Sequence, residues 1–231
     1  MGVVARGLDG SGTVIDPSRF AVFAVAALAL LVVPGPAVIY IVAQSLDQGR
    51  RAGVISVLGI HVGSMVHVLA ATVGLSQLLV SSATAYTVVK YAGAAYLIGL
   101  GLRRILTRDR AAAEDDSAFV VVPRPSRQLF RQGIVVNVLN PKTALFFLAF
   151  LPQFVDVDAG RVPLQIAVLG ATFVLLGLVT DTVWALAAGT LGSTLRRSAR
   201  VLRIERLVSG SVFIALGALT AASGRPEPRH T

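Results

Sequence analysis

The apolar run from Gly133 to Val155, G-I-V-V-N-V-L-N-P-K-T-A-L-F-F-L-A-F-L-P-Q-F-V, carries Asn140, Pro141 and Lys142 near its middle. About 20 apolar residues suffice for a helix to cross a bilayer. Proline lacks a backbone donor and clashes with the preceding turn, so a helix running through Pro141 must break or kink. A lysine at this depth costs about 3 kcal/mol on insertion scales, and a chain that carries that cost has a use for it. A second break lies in the first apolar run, at Pro34-Gly35-Pro36. The fold must be organised around these two breaks.

Composition names the solvent. Of 231 residues, 55% are hydrophobic and 14% charged, with a mean hydropathy of +0.75. Soluble domains carry about 25% charge. The sequence therefore reads as an all-α integral membrane protein. It has no cysteine, which excludes disulfides, thiol redox chemistry and any Cys-based metal site. The net charge of +9 lies between apolar runs, not on a soluble face, which argues against nucleic acid as a partner.

Hydropathy places six spans, near Phe20–Ala43, Gly53–Val80, Thr87–Leu106, Gly133–Val155, Leu164–Leu191 and Leu207–Ala222. The expected division is a polar N-terminal extension at 1–18, a three-helix repeat at 19–106, a cytoplasmic linker at 107–131, a second three-helix repeat at 132–222 and a polar tail at 223–231. The extension does not read as a signal peptide, because the apolar run after it is too long and holds the first break. In span 2, Gly59-x-x-x-Gly63 and Ala70-x-x-x-Gly74 are spacings that let helices approach closely. The loops alternate in charge. Of the 21 Lys and Arg residues, two fall in the loop after span 1, seven in or beside the loop after span 3, and five in the loop after span 5. These fourteen oppose six on the other side, and Lys142 lies within a span. The positive-inside rule then puts those three loops in the cytoplasm and both termini outside.

Each half opens with a span broken by proline and ends with a Gly-rich span. Three is odd, so two such halves have opposite orientations in the membrane. Matched broken helices in inverted repeats point to the binding site of a secondary transporter.

The segments V-P-G-P-A of span 1 and Q-S-L-D-Q-G-R-R-A-G just after it, K-Y-A-G-A-A-Y-L-I-G-L-G of span 3 and N-V-L-N-P-K-T-A-L-F-F-L-A-F-L-P-Q-F-V of span 4 resemble the LysE/RhtB family of amino-acid exporters. The resemblance covers about Phe20 to Ala222. It implies export of amino acids or their derivatives across a bacterial cytoplasmic (inner) membrane, driven by the proton gradient, with no ATP site and no cofactor. It does not name the amino acid.

The candidate site follows from the breaks. Freed backbone groups inside a membrane persist only where protein or water satisfies them. Half-helix N-termini offer N–H groups and a positive dipole end to an anion such as an amino-acid carboxylate. Pro34, Gly35, Pro36, Asn140 and Pro141 are the candidates for such ends, and Asn137 joins them if the helix persists to Asn140. Both asparagines also suit plain capping of freed backbone. Lys142 is expected to bind the carboxylate, to pair with an acid, or to snorkel to the interface. Asp181, the main acid within a span, is a candidate to hold the substrate amino group, to carry the coupling proton, or to neutralise Lys142. Buried acids with shifted titration mark sites of proton exchange. His67 is a second proton-coupling candidate, with interhelical hydrogen bonding as its bland alternative and the stronger expectation for His61. Six residues apart on a helix, the two histidines point about 120° apart and make a poor joint metal site. Tyr40, Phe146, Phe147 and Trp184 suit a pocket wall or plain packing. Expected partners are a small amino acid, the lipid bilayer and protons, with a homo-oligomer left open.

No Walker-type G-x-x-x-x-G-K-[ST] and no H-E-x-x-H occurs. The rival readings are an exporter of metal cations or other small solutes, and a non-transporting membrane protein. Sparse intramembrane carboxylates weigh against cations. An enzyme would need a nucleophile–base pair, for which Ser64 and His67, three residues apart, are the faint candidates.

Overall fold

The computed structural model describes residues 14–75, 83–106, 124–195, 207, 211 and 214–222. Among these, every regular element is helical. Helix α1, Pro17–Val32, starts at Asp16, whose carboxylate accepts from the backbone N–H groups of Ser18 and Arg19. The Ser18 hydroxyl, then the Arg19 amide, hold that carboxyl below the ordinary value of 3.8. Val33 is extended and α2, Pro36–Gln48, follows with Pro36 at its first turn. Proline fits there because its missing N–H would be unsatisfied anyway. Gly49, at φ +84°, turns the chain directly into α3, Arg50–Ala70, a conformation that costs glycine little. A wider π turn, Ala71–Leu75, ends this element.

Helix α4 is Ala83–Leu106 and α5 is Ser126–Val138. Asn140 caps α6, Pro141–Leu145, by accepting from the N–H of Lys142. A π turn at Phe146–Phe150 and a tight 3-10 turn at Leu151–Phe154 extend α6. Helix α7 is Val162–Leu195, and 214–222 form α8. One boundary departs from the sequence reading. Helix α5 begins at Ser126, inside the segment read as linker, because an apolar boundary marks where lipid contact starts, not where the helix starts. Arg127 and Arg131 stand exposed on its first turns. Lys90, one of the six charges set against the fourteen, lies within α4 as it does within span 3, and is 3% exposed, its Nζ 5.2 Å from the Tyr91 ring centroid.

Arg50–Gly74 and Val162–Thr190 are each long and apolar enough to cross a bilayer. The pairs α1–α2 and α5–α6 meet the same test when their halves are joined, with bends of 49° and 45°. Helix α7 shows how the bundle divides lipid from core. Phe173, Gly177, Asp181 and Ala185, four apart, are buried. Leu175, Val179 and Val183 on the other face are 62–65% exposed. A soluble protein would not turn such a stripe to water; a lipid-facing helix does.

The core at one end is aromatic. Phe146 stacks on Phe173 at 4.3 Å and meets Phe23 at 5.8 Å and Phe147 at 5.7 Å. Helix α3 packs backbone to backbone on α5. A Cβ on Gly59 would lie 2.2 Å from the carbonyl oxygen of Phe130, and one on Gly63 would lie 2.8 Å from that of Ile134. This fulfils the expectation for Gly59 and Gly63. Gly74 has nothing within 4 Å of such an atom, so the Ala70/Gly74 spacing serves no close approach among the described residues.

Candidate functional site

Each break frees carbonyl groups, and the partners of those groups define the site. Pro141 has no N–H to offer the carbonyl four residues back, that of Asn137. The Nε2 of His67 on α3 lies 3.0 Å from this oxygen, and the Asn140 N–H also donates to it. An acceptor carbonyl requires the proton on Nε2, so the bond sets the His67 tautomer. At the first break, Lys142 Nζ donates to the Val33 carbonyl at 2.6 Å. The lysine is 7% exposed, so it does not snorkel to the interface. Gly35 makes the space, since a Cβ there would lie 3.0 Å from Lys142 Cδ. The capping is reciprocal. A side chain from the second half satisfies the break of the first, and a side chain from the first half satisfies the break of the second.

Asn137, 1% exposed, is the hub. Its Nδ2 donates to the Ile60 carbonyl at 2.9 Å and to Ser64 Oγ at 2.8 Å. Its Oδ1 accepts from Thr143 Oγ1 at 3.1 Å and from Asn140 Nδ2 at 3.4 Å. All four bonds tie α3 and α6 to the end of α5. The Ser64 hydroxyl itself donates to the Ile60 carbonyl. Ser64 and His67 thus serve different partners, and the geometry holds no nucleophile–base pair between them.

Asp181 lies across the bundle on α7, with Oδ2 3.2 Å from His61 Nε2 and both side chains under one-tenth exposed. The histidine therefore has an acid as its neighbour, a partner that the sequence reading did not foresee. Leu31, Gly35, Ile60, His61, Ser64, Asn137, Asn140, Lys142, Thr143, Phe173 and Asp181 surround one cavity of about 30 Å³. That volume has room for a water or two and is too small for an amino acid, so a substrate requires the cluster to open. Among its lining residues the ionisable groups are His61, Lys142 and Asp181.

The structure thus brings together Gly35, Asn137, Asn140, Lys142 and Asp181 around this cavity. Pro34, Pro36 and Pro141 shape its two breaks, and His67 sits beside it on Asn137. Phe146 and Phe147 belong to the aromatic core. Tyr40 lies elsewhere, its hydroxyl donating to the Leu129 carbonyl at 2.8 Å. With Arg124, Arg127 and Arg131 it lines a second, open cavity of about 580 Å³ at the start of α5. Sequence reasoning missed Thr143, Phe173 and this basic vestibule. It also missed Gly177, where a Cβ would lie 2.7 Å from His61 Cε1. The available signal was a glycine one helical turn before a buried acid.

An apolar helical bundle with a polar cluster between two bent helix pairs defines an integral membrane protein. The family model of the LysE type translocator matches residues 28–224. The chain belongs to that family, the one that its first, third and fourth apolar segments resemble. It is 31% identical over 190 residues to the homoserine/homoserine lactone efflux protein of Salmonella typhimurium, covering 82% of this chain and 89% of the relative. It is 30% identical over 190 residues to an uncharacterized membrane protein of Vibrio cholerae, covering 82% and 90%. It is 23% identical over 204 residues to the leucine efflux protein of an Enterobacter species, covering 88% and 95%. No solved structure matches the chain.

Proposed function

We propose that this protein is a secondary transporter that exports amino acids or close derivatives from the cytoplasm by proton antiport and alternating access. The observation that carries the reading is the buried cluster of Asn137, Asn140, Lys142, Thr143 and Asp181 against the break at Gly35, inside an apolar bundle. Efflux relatives of similar length support the direction of transport. In this reading α4 and α8 are the third and sixth spans. The chain is then a 3+3 inverted repeat with spans 1 and 4 broken at proline. It sits in the bacterial cytoplasmic membrane with both termini outside.

The substrate is a small zwitterion, with homoserine and leucine as the first to try. Its carboxylate takes the place of the Val33 carbonyl on Lys142 and faces the backbone N–H groups that follow Pro36 and Pro141 at the starts of α2 and α6. Its ammonium faces Asp181. Capture of the carboxylate releases Lys142 from the first break, which loosens the tie between the halves. The vestibule of Tyr40, Arg124, Arg127 and Arg131 adjoins a loop on the basic side and is the cytoplasmic mouth. The positive field there attracts the carboxylate end of the solute.

Cells are loaded with amino acids by feeding a panel of dipeptides that are hydrolysed inside. Efflux is compared with and without the protein, and with and without a protonophore. Selective, protonophore-sensitive efflux of one or a few amino acids is expected. No change across the panel, with the protein present in the membrane, refutes the reading.

A further inference from the structure

We infer that His61 and Asp181 together form the proton-carrying site, and that a proton and the substrate ammonium compete for Asp181. The inference rests on the antiport reading above and adds the residues and the rule of exchange.

Two histidines lie near the cluster, and their surroundings differ. His67 is committed, its Nε2–H fixed on the Asn137 carbonyl. His61 is 7% exposed, yet neither of its ring nitrogens makes a hydrogen bond to a described residue. The Asp181 oxygen is close, at 3.2 Å from Nε2, but the ring N–H does not point along the line that a hydrogen bond needs. A buried polar group without such a bond is costly and asks for a reason. An imidazole that serves packing has its nitrogens satisfied. One that takes up and releases a proton beside a carboxylate needs a partner for the charged form and freedom to turn.

The chain also makes room for this ring. Gly177 lies one turn before Asp181 on the same buried face of α7. A side chain there would meet His61 Cε1 at 2.7 Å and Nδ1 at 3.5 Å. Glycine lowers helix stability by about 1 kcal/mol against alanine in an aqueous helix. Here it leaves room for the imidazole beside the acid.

The charges around the pair supply the coupling. Helix α3 contributes His61 and α7 contributes Asp181. The α6 end contributes Lys142, and the α1–α2 break and α5 contribute neutral residues to this cavity. The Tyr40 hydroxyl of α2 is held by the Leu129 carbonyl. With His61 neutral, Lys142 and Asp181 balance. A proton from water that forms an N–H or O–H bond on the pair places one positive charge at Asp181, and the substrate, with its carboxylate on Lys142, brings its ammonium to the same acid. At one buried carboxylate two cations repel each other strongly in a low dielectric. The site therefore holds a proton or an ammonium, and each opening exchanges one for the other. The proton leaves to water on the cytoplasmic side as the ammonium arrives.

The test uses the full-length protein in proteoliposomes with labelled homoserine, then labelled leucine, as probes. Amino-acid flux and substrate-elicited proton flux, the latter from an internal pH dye, are read together for wild type, His61→Gln, Asp181→Asn and Gly177→Ala. Wild type should move about one proton per amino acid, and His61→Gln and Asp181→Asn fewer than about one in ten, at whatever rate remains. Gly177→Ala keeps both titratable groups but displaces the ring, and should shift the pH midpoint of transport by about half a unit or more. A wild-type proton ratio in both pair variants, or a Gly177→Ala pH profile superimposed on wild type, overturns the assignment and leaves antiport standing. Amino-acid transport by wild type with no proton flux overturns antiport itself.

Discussion

Asn137→Ala is the sharpest test of how the site is held together. The asparagine makes four side-chain hydrogen bonds, two to α3 and two to the residues around Pro141. Interhelical hydrogen bonds in membranes average about 0.6 kcal/mol and reach about 1.7 kcal/mol. Alanine also leaves the Ile60 carbonyl and the Thr143 hydroxyl without this partner in a buried place, which adds to the loss. The expected cost is about 2–4 kcal/mol of unfolding free energy. Ser64→Ala is the control. It removes one acceptor, while Asn137 Nδ2 keeps the Ile60 carbonyl, so it should cost under about 1 kcal/mol. Reversible denaturant titration in mixed micelles measures both. An Asn137→Ala protein within about 0.5 kcal/mol of wild type would refute the claim that this side chain ties the halves together.

Gly59→Ala should destabilise by about 1–3 kcal/mol or more through overpacking, because its new atom would lie 2.2 Å from a backbone oxygen. Gly74→Ala, with open space, should be neutral or stabilising by up to about 1 kcal/mol, so thermal unfolding of the pair should separate them in opposite directions. Lys142→Ala should insert normally yet export poorly; normal export would remove Lys142 from the site. At the N-terminus of α1, the depressed Asp16 pKa means its cap stabilises above the unfolded value and is lost as pH falls through the folded one. Amide exchange at Ser18 and Arg19, corrected for intrinsic rates, should show less protection as pH drops below about 3.8, and no change there would remove the cap.

Much of the site was legible because proline and lysine in an apolar run are local facts. Pro34–Pro36 and Asn140–Lys142 mark the breaks without any knowledge of packing, and Gly59 and Gly63 announce a close approach by spacing. What the sequence did not reveal was pairing. Lys142 reaches a carbonyl 109 residues away, and His67 reaches one 70 residues away. Such contacts depend on how helices cross, and many partners fit a lone buried cation or histidine equally well. His61 looked bland for the same reason, since its significance lies in Asp181 and Gly177 on another helix. Gly74 failed in the opposite sense. Small-residue spacing permits an approach but does not bring a partner.

In the proposed transport cycle the substrate passes through the cluster between the two bent pairs. The natural chain has no cysteine, so a single Ala37→Cys, on the wall of the small cavity, reports on that space alone. Labelling by a membrane-impermeant thiol reagent is measured from each side, in right-side-out and inverted vesicles. Leu139→Cys, at a 75% exposed position, checks that the reagent reacts with an accessible thiol when the membrane is opened by detergent. Slow labelling of Ala37→Cys from both sides, slowed further by the exported amino acid, is the predicted result. Labelling from neither side, or labelling indifferent to the amino acid in a variant that still exports, would contradict it.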